Sequence, residues 1–185
     1  MLISISLLSA ALLVAPLQDA PLEGGKDVPV PKRLSGKDPV LPQMARDARV
    51  QGFLIFEVTV STDGRITDIR SLRTIPLVDQ AAIDAMKTWR YEPTLVDGVA
   101  RRVKFTEIVD MFLSPGDAVS HYWGQALDPK NQPQVRVLAI GRMALFANKE
   151  YKRVAKALTK LATDSEPAVA EAASTALAAL PPEKN

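Results

Sequence analysis

The chain has 185 residues, 47% hydrophobic and 24% charged, which is enough apolar material for one ordinary core or two small ones and too much for a disordered chain. A formal net charge of +2 provides no concentrated basic stripe to displace counterions from phosphate, so nucleic acid is not an expected partner. The absence of cysteine excludes disulfides, thiolate metal sites and cysteine nucleophiles.

The first stretch, "MLISISLLSAALLVAPL", carries no charged side chain, and the first lysine is Lys26. Its length and apolarity predict a signal peptide or a membrane anchor over residues 1–20, and hence export to the envelope. Residues 21–37 are rich in Pro, Gly and charge and predict an extended linker rather than a packed element.

Pro42 precedes a short helical stretch, "QMARDARVQG", in which Met44, Ala45 and Ala48 share a face and which Gly52 ends. "FLIFEVTVS" alternates, with Leu54, Phe56, Val58 and Val60 on one face, and reads as a half-buried strand. Asp63 and Gly64 supply hairpin chemistry, and "RITDIRSLR" pairs back with a bulge, since Ile66 and Ile69 cannot share one face of a regular pleat. Val78, Ala82, Met86 and Trp89 then follow at helical spacing after Asp79, a cap or first-turn acid. Pro93 disfavours helical geometry at Glu92, so the helix stops near Trp89 and the chain extends through Tyr91. Trp89 is expected to close the core beneath the helix. A second Asp-Gly turn at Asp97 and Gly98 leads into a long strand with Val103, Phe105, Val109, Met111 and Leu113 on one face, interrupted by Glu107. As the last strand of its unit it is expected at a sheet edge.

Residues 116–133 read as a punctuated linker. It contains His121, the only histidine of the chain, so any Ser/His/Asp triad would need it as base. The surrounding "SPGDAVSHYWGQ" has neither a nucleophile elbow nor metal-ligand spacing, and His121 reads as a polar loop residue. With no paired carboxylates and no histidine cluster, no catalytic residue, cofactor or metal is expected. Three helical patterns complete the chain over residues 134–181. The middle one carries a stripe of Tyr151, Val154, Ala155, Leu158 and Leu161, with Lys149, Lys152, Arg153, Lys156 and Lys160 mainly on its solvent face. The order Asp164, Pro167, Val169, Ala172, Ala173, Ala176, Leu177 resembles a HEAT-type repeat, although an ordinary three-helix appendage fits equally. Too few repeats are present for a free-standing stack, so this segment is expected to pack on the sheet domain or meet a partner.

Residues 38–115 resemble the C-terminal domain of TonB, the periplasmic energy transducer. The residues that carry the resemblance are Pro42 and Ala45, Gly52, the Asp63–Gly64 hairpin, Ala81 and Ala82, the Trp89, Arg90, Tyr91, Pro93 stop, and the alternating terminal strand. It implies an α+β fold, a three-stranded antiparallel sheet with two helices on one face. It also implies binding by strand addition, in which the last strand accepts the TonB box of an outer-membrane transporter. Carried over, the contact strand is residues 103–113, with the backbone of Val103, Phe105, Glu107 and Val109 as the contact set. Full transducers of this type also engage an ExbB/ExbD proton motor through their anchor. Here the apolar segment has no ionisable side chain and the linker is short, so a non-energised periplasmic scaffold using the same edge and the helical tail is the second expectation.

Overall fold

Alternation with a period of two runs through the two longest strands, and helical spacing takes over beyond residue 114. The computed structural model describes residues 20–25 and 27–183. The expected signal peptide or anchor therefore lies, but for Ala20, outside the described residues. In chain order come β1 (Leu22–Glu23), β2 (Arg33–Ser35), α1 (Gln43–Asp47), β3 (Gly52–Val60), β4 (Ile66–Arg73) and α2 (Asp79–Met86). They are followed by β5 (Arg90–Tyr91), β6 (Thr94–Val96), β7 (Val99–Arg101), β8 (Val103–Met111), α3 (Pro115–Leu127), α4 (Pro133–Ala144), α5 (Ala147–Leu161) and α6 (Pro167–Ala178).

The main sheet has the order β1-β8-β3-β4. β3 pairs antiparallel with β8 from Gly52↔Met111 to Val60↔Val103 without a break, and antiparallel with β4 through register shifts at Ile55/Phe56 and Thr59/Val60. These shifts are the irregularity that the spacing of Ile66 and Ile69 demands. Leu54, Phe56 and Val58 of β3 and Val103, Phe105, Val109 and Met111 of β8 form one buried face, covered by Ala45 of α1 and by Val78, Ala82 and Met86 at α2. Each large side chain fully buried there is worth ~1.5–3 kcal/mol, which fixes the strand register because a slip of one residue would expose the whole set. The expected antiparallel core of three strands with two helices on one face is present. β1 adds a fourth, parallel strand.

Two expectations are corrected. The linker over residues 21–37 is not a free tether: it contributes β1 to the main sheet and β2 to a small sheet with β5. The linker over residues 116–133 is largely α3, which starts at Pro115 with Ser114 as N-cap, its Oγ accepting from the Asp117 amide at 3.1 Å. The Gly and Pro of "SPG" mark this cap and first turn, the position where proline suits a helix, rather than a loop.

The four helices α3–α6 pack around Val119, Tyr122, Ile140, Met143, Val154, Leu158, Leu161, Val169 and Ala173. They dock on the sheet face opposite α2, where Phe53 and Phe112 join their core. The sheet is thus covered on both sides at this end. In the tail, Arg136 is 6% exposed. Its Nε donates to the Ala126 carbonyl at 2.7 Å, and its guanidinium forks onto Asp164 at 3.1 and 2.5 Å. Asp164 also accepts from the Glu166 amide at 3.0 Å, so a single pair ties the end of α3, the start of α4 and the α5–α6 turn. The Arg136 hydrogen bonds, reinforced by that amide, hold the Asp164 carboxyl below the usual carboxylate range. A depressed folded-state value means stability present above the unfolded value of about 4 and lost as pH falls through the lower folded one. Asp164→Asn is expected to cost about 2 kcal/mol near neutral pH. It should also flatten the acid limb of the stability curve, measured by urea unfolding between pH 7 and 3.

Candidate partner-binding edge

The outer edge of β8 is defined by what bonds to it. The Leu22 amide donates to the Arg102 carbonyl at 2.8 Å, the Gly24 amide to the Lys104 carbonyl at 2.7 Å, and Arg142 Nη2 of α4 to the Ile108 carbonyl at 3.3 Å. Successive residues of a strand turn their backbone groups to opposite sides. Arg102, Lys104, Thr106, Ile108 and Asp110 therefore face outward, and Val103, Phe105, Glu107 and Val109 face β3.

This corrects the expected contact set by one residue. The apolar pattern reports which side chains face the core, and both side chains and backbone groups alternate with period two. Nothing in that pattern says which set of backbone groups pairs with the neighbour and which is left at the edge. The side chains of Val103, Phe105 and Val109 are in the core. Glu107 is half-buried and accepts from the Tyr91 hydroxyl at 3.1 Å, and its burial pushes its pKa up.

The second half of this edge opens into a cleft of about 280 Å³. It is lined by Arg33 and Trp89, by Glu107 and Asp110 of β8, by Arg142 of α4 and by Leu145 at the C-cap of that helix. Asp110 is matched by Arg142 and by the Tyr122 hydroxyl, which donates to it. Thr106 is exposed. Beside the cleft, Val135 and Leu138 of α4 and Leu145 at its C-cap are exposed, at spacings that place them along one side of the helix.

The Trp-Arg-Tyr-x-Pro stop clamps this arrangement. Trp89 Nε1 donates to the Lys37 carbonyl at 2.8 Å, and the Arg33 guanidinium lies 4.5 Å from the Trp89 ring. Arg90 and Tyr91 pair with Ser35 and Arg33. The Tyr91 amide donates to the Gly64 carbonyl at 2.8 Å, and the Tyr91 ring meets Phe105 edge-on at 5.5 Å. The stop therefore joins the hairpin turn at Asp63 and Gly64, the docked linker and β8. Pro93 follows directly, ahead of β6, and Gly52 opens β3. Leu22, Glu23, Gly24 and Arg142 escaped the sequence reading, because each acts only through a contact distant in the chain.

His121 lies on α3, not in a loop, between the rings of Phe53 at 5.6 Å and Phe112 at 5.3 Å, and burial lowers its pKa. Its place is in the packing between sheet and tail. Among the described residues no cluster of three or more His, Asp or Glu is positioned to hold a metal, and no helix is long and apolar enough to cross a membrane. Chemically, the edge can offer backbone donors and acceptors in strand register beside an apolar wall.

The family described as Gram-negative bacterial TonB protein C-terminal matches residues 37–110. Among curated proteins, Protein TonB of Pseudomonas aeruginosa is 37% identical over 75 residues, covering 38% of this chain and 22% of that protein. Protein TonB of Klebsiella aerogenes is 36% identical over 64 residues, 34% of this chain and 26% of the relative. Protein TonB of Escherichia coli K12 is 32% identical over 65 residues, 34% and 27% respectively. The matched region thus spans roughly a quarter of the length of these relatives. The solution NMR structure of Pseudomonas aeruginosa TonB CTD is 32% identical and covers 45% of this chain and 87% of its own, with a TM-score of 0.38.

Proposed function

We propose, from the premise that residues 37–110 belong to the TonB C-terminal family, that this chain binds an extended segment of a partner protein by strand addition to the outer edge of β8. The partner is the TonB box of an outer-membrane transporter, the compartment is the periplasm, and residues 1–20 deliver or anchor the chain there. Coupling to proton-motive force through an ExbB/ExbD-type motor belongs to the same reading. The observation that supports it best is the cleft at residues 107–110. There the outward backbone groups of a long strand lie beside exposed apolar side chains, so main-chain bonds supply affinity and no catalytic side chain is required.

Titration of the full chain with synthetic TonB-box peptides from the source organism's transporters tests this. Chemical-shift changes are expected at the amides of Thr106, Ile108 and Asp110. Thr106→Pro removes an outward donor without touching the β3 ladder, a substitution that edge strands tolerate. If its spectrum remains folded, this variant is expected to lose peptide binding. Undiminished binding by the folded variant would count against strand addition here.

The second reading, a non-energised scaffold or adaptor, draws on the exposed Val135 and Leu138 of α4 and Leu145 at its C-cap. Function that survives removal of the motor, and fails when these three are made polar, would favour it.

A further inference from the structure

β1 occupies the edge on which the proposed function depends. Leu22 and Glu23 run parallel to β8 in register with Val103 and Lys104. The Leu22 amide donates to the Arg102 carbonyl at 2.8 Å and the Gly24 amide to the Lys104 carbonyl at 2.7 Å. Glu23 places its carboxylate 2.8 Å from Lys104 Nζ. Gly24 lies so close to the sheet that a Cβ there would sit 3.0 Å from Val103 Cγ1 and 3.1 Å from Phe105 Cβ. The Gly25 amide then donates to the Val28 carbonyl at 2.7 Å, and the chain turns away before reaching the second half of the edge.

The contrast with β3 decides how firmly this segment is held. β3 pairs with β8 along nine consecutive residues and buries its core face. β1 pairs along two residues, Leu22 is only half-buried, and the Glu23 side chain is 75% exposed. An ion pair so exposed is screened by salt and holds little. The segment is fastened by the same backbone groups that an added strand would use, and it is fastened lightly.

We infer that residues 22–24 are an intramolecular occupant of the strand-accepting edge and compete with a partner for it. This rests on the strand-addition reading. The outer edge of β8 is divided: Arg102–Lys104 is closed in cis by β1, and Thr106–Asp110 faces the cleft with no strand paired to it among the described residues, its Ile108 carbonyl met by the Arg142 side chain at 3.3 Å. A short partner segment fits this second half with β1 in place, its amide replacing the Arg142 side chain at the Ile108 carbonyl. A longer one must displace β1, replace the carboxylate at Lys104 and bring a small residue to the position of Gly24.

The test compares the full chain with its Leu22→Pro variant, which deletes one of the two amide donors, and with Gly24→Val, which forces a side chain against Val103 and Phe105. Both changes lie outside the hydrophobic core, and two independent variants guard against a local defect in either. Two probes are used, the synthetic peptide of residues 19–25 and a TonB-box peptide that spans the whole edge. The residue 19–25 peptide is expected to shift the Lys104 and Thr106 amides of both variants and not of the wild type. The longer peptide is expected to bind the variants about tenfold more tightly, as when removal of a dominant closed state restores the intrinsic affinity. Equal affinity for wild type and variants, with shifts along the same edge, would overturn the competition and leave strand addition standing. Absence of the longer peptide's binding throughout would overturn strand addition. The residue 19–25 peptide then still decides, by binding or failing to bind the variants, whether β1 is a replaceable occupant.

Discussion

Trp89→Ala is expected to lower the unfolding free energy of the sheet domain by about 3–5 kcal/mol, the range for truncating a large buried aromatic. Trp89 is 3% exposed and packs in the core with Met86 and Tyr91. Its removal leaves a cavity that α2 cannot fill, because that helix ends at Met86 and its last turn is tied by the Trp89 amide to the Met86 carbonyl at 2.9 Å. It also strips the Lys37 carbonyl of its indole donor and Arg33 of its ring partner, so residues 33–37 should loosen together with the core. Urea unfolding followed by far-ultraviolet circular dichroism measures the first effect, and amide exchange at Lys37 and Ser35 the second. Trp89→Phe, which keeps most of the ring and loses the N–H, should fall well short of the alanine variant. Equal losses for the two would place the effect in the hydrogen bond rather than in the packing.

Gly64→Ala should cost about 3 kcal/mol, combining left-handed backbone strain with overpacking. Gly64 has φ +79°, and a Cβ there would lie 2.0 Å from the Tyr91 carbonyl oxygen. That oxygen is backbone and cannot rotate away. Gly64 is moreover the acceptor for the Tyr91 amide, so any retreat breaks the contact joining the hairpin to β5. Gly98→Ala is the control: φ is +76° but nothing lies within 4 Å of the added methyl, and it should cost only about 1 kcal/mol. Similar midpoints for the two variants in urea would refute the close-approach argument.

Much of the molecule was legible because its causes are local. The turn at Asp97 and Gly98, with φ 53° and 76°, is one that few dipeptides suit, and it appears where those residues predict it. The stripe of Val154, Leu158 and Leu161 faces the tail core as its spacing requires, and Lys149, Lys152, Lys156 and Lys160 are exposed. Arg153 is exposed as well, and its guanidinium also donates to Ser120 Oγ at 2.7 Å, joining α5 to α3. The partnership of Arg136 with Asp164 was not legible, because Arg136 stands in the buried stripe of α4 with Ala139, Ile140 and Met143 while its acceptor lies on a different element.

The candidate edge shows where local reasoning stops. Alternation from Val103 to Met111 determines that this stretch is a strand and which side chains enter the core, because both follow from pleat geometry and the removal of apolar surface from water. The same alternation leaves undetermined which amides point outward, whether a neighbour already holds them, and what stands beside them. Those were decided by contacts between segments far apart in the chain: Leu22 and Gly24 on Arg102 and Lys104, Arg142 on Ile108, and Trp89 on Lys37. By itself the sequence determined the three long strands β3, β4 and β8, the turns, most of the helices and the faces they bury. Only the tertiary structure decided that a Pro- and Gly-rich linker docks as a strand on the edge, because its backbone bonds carry no side-chain signature.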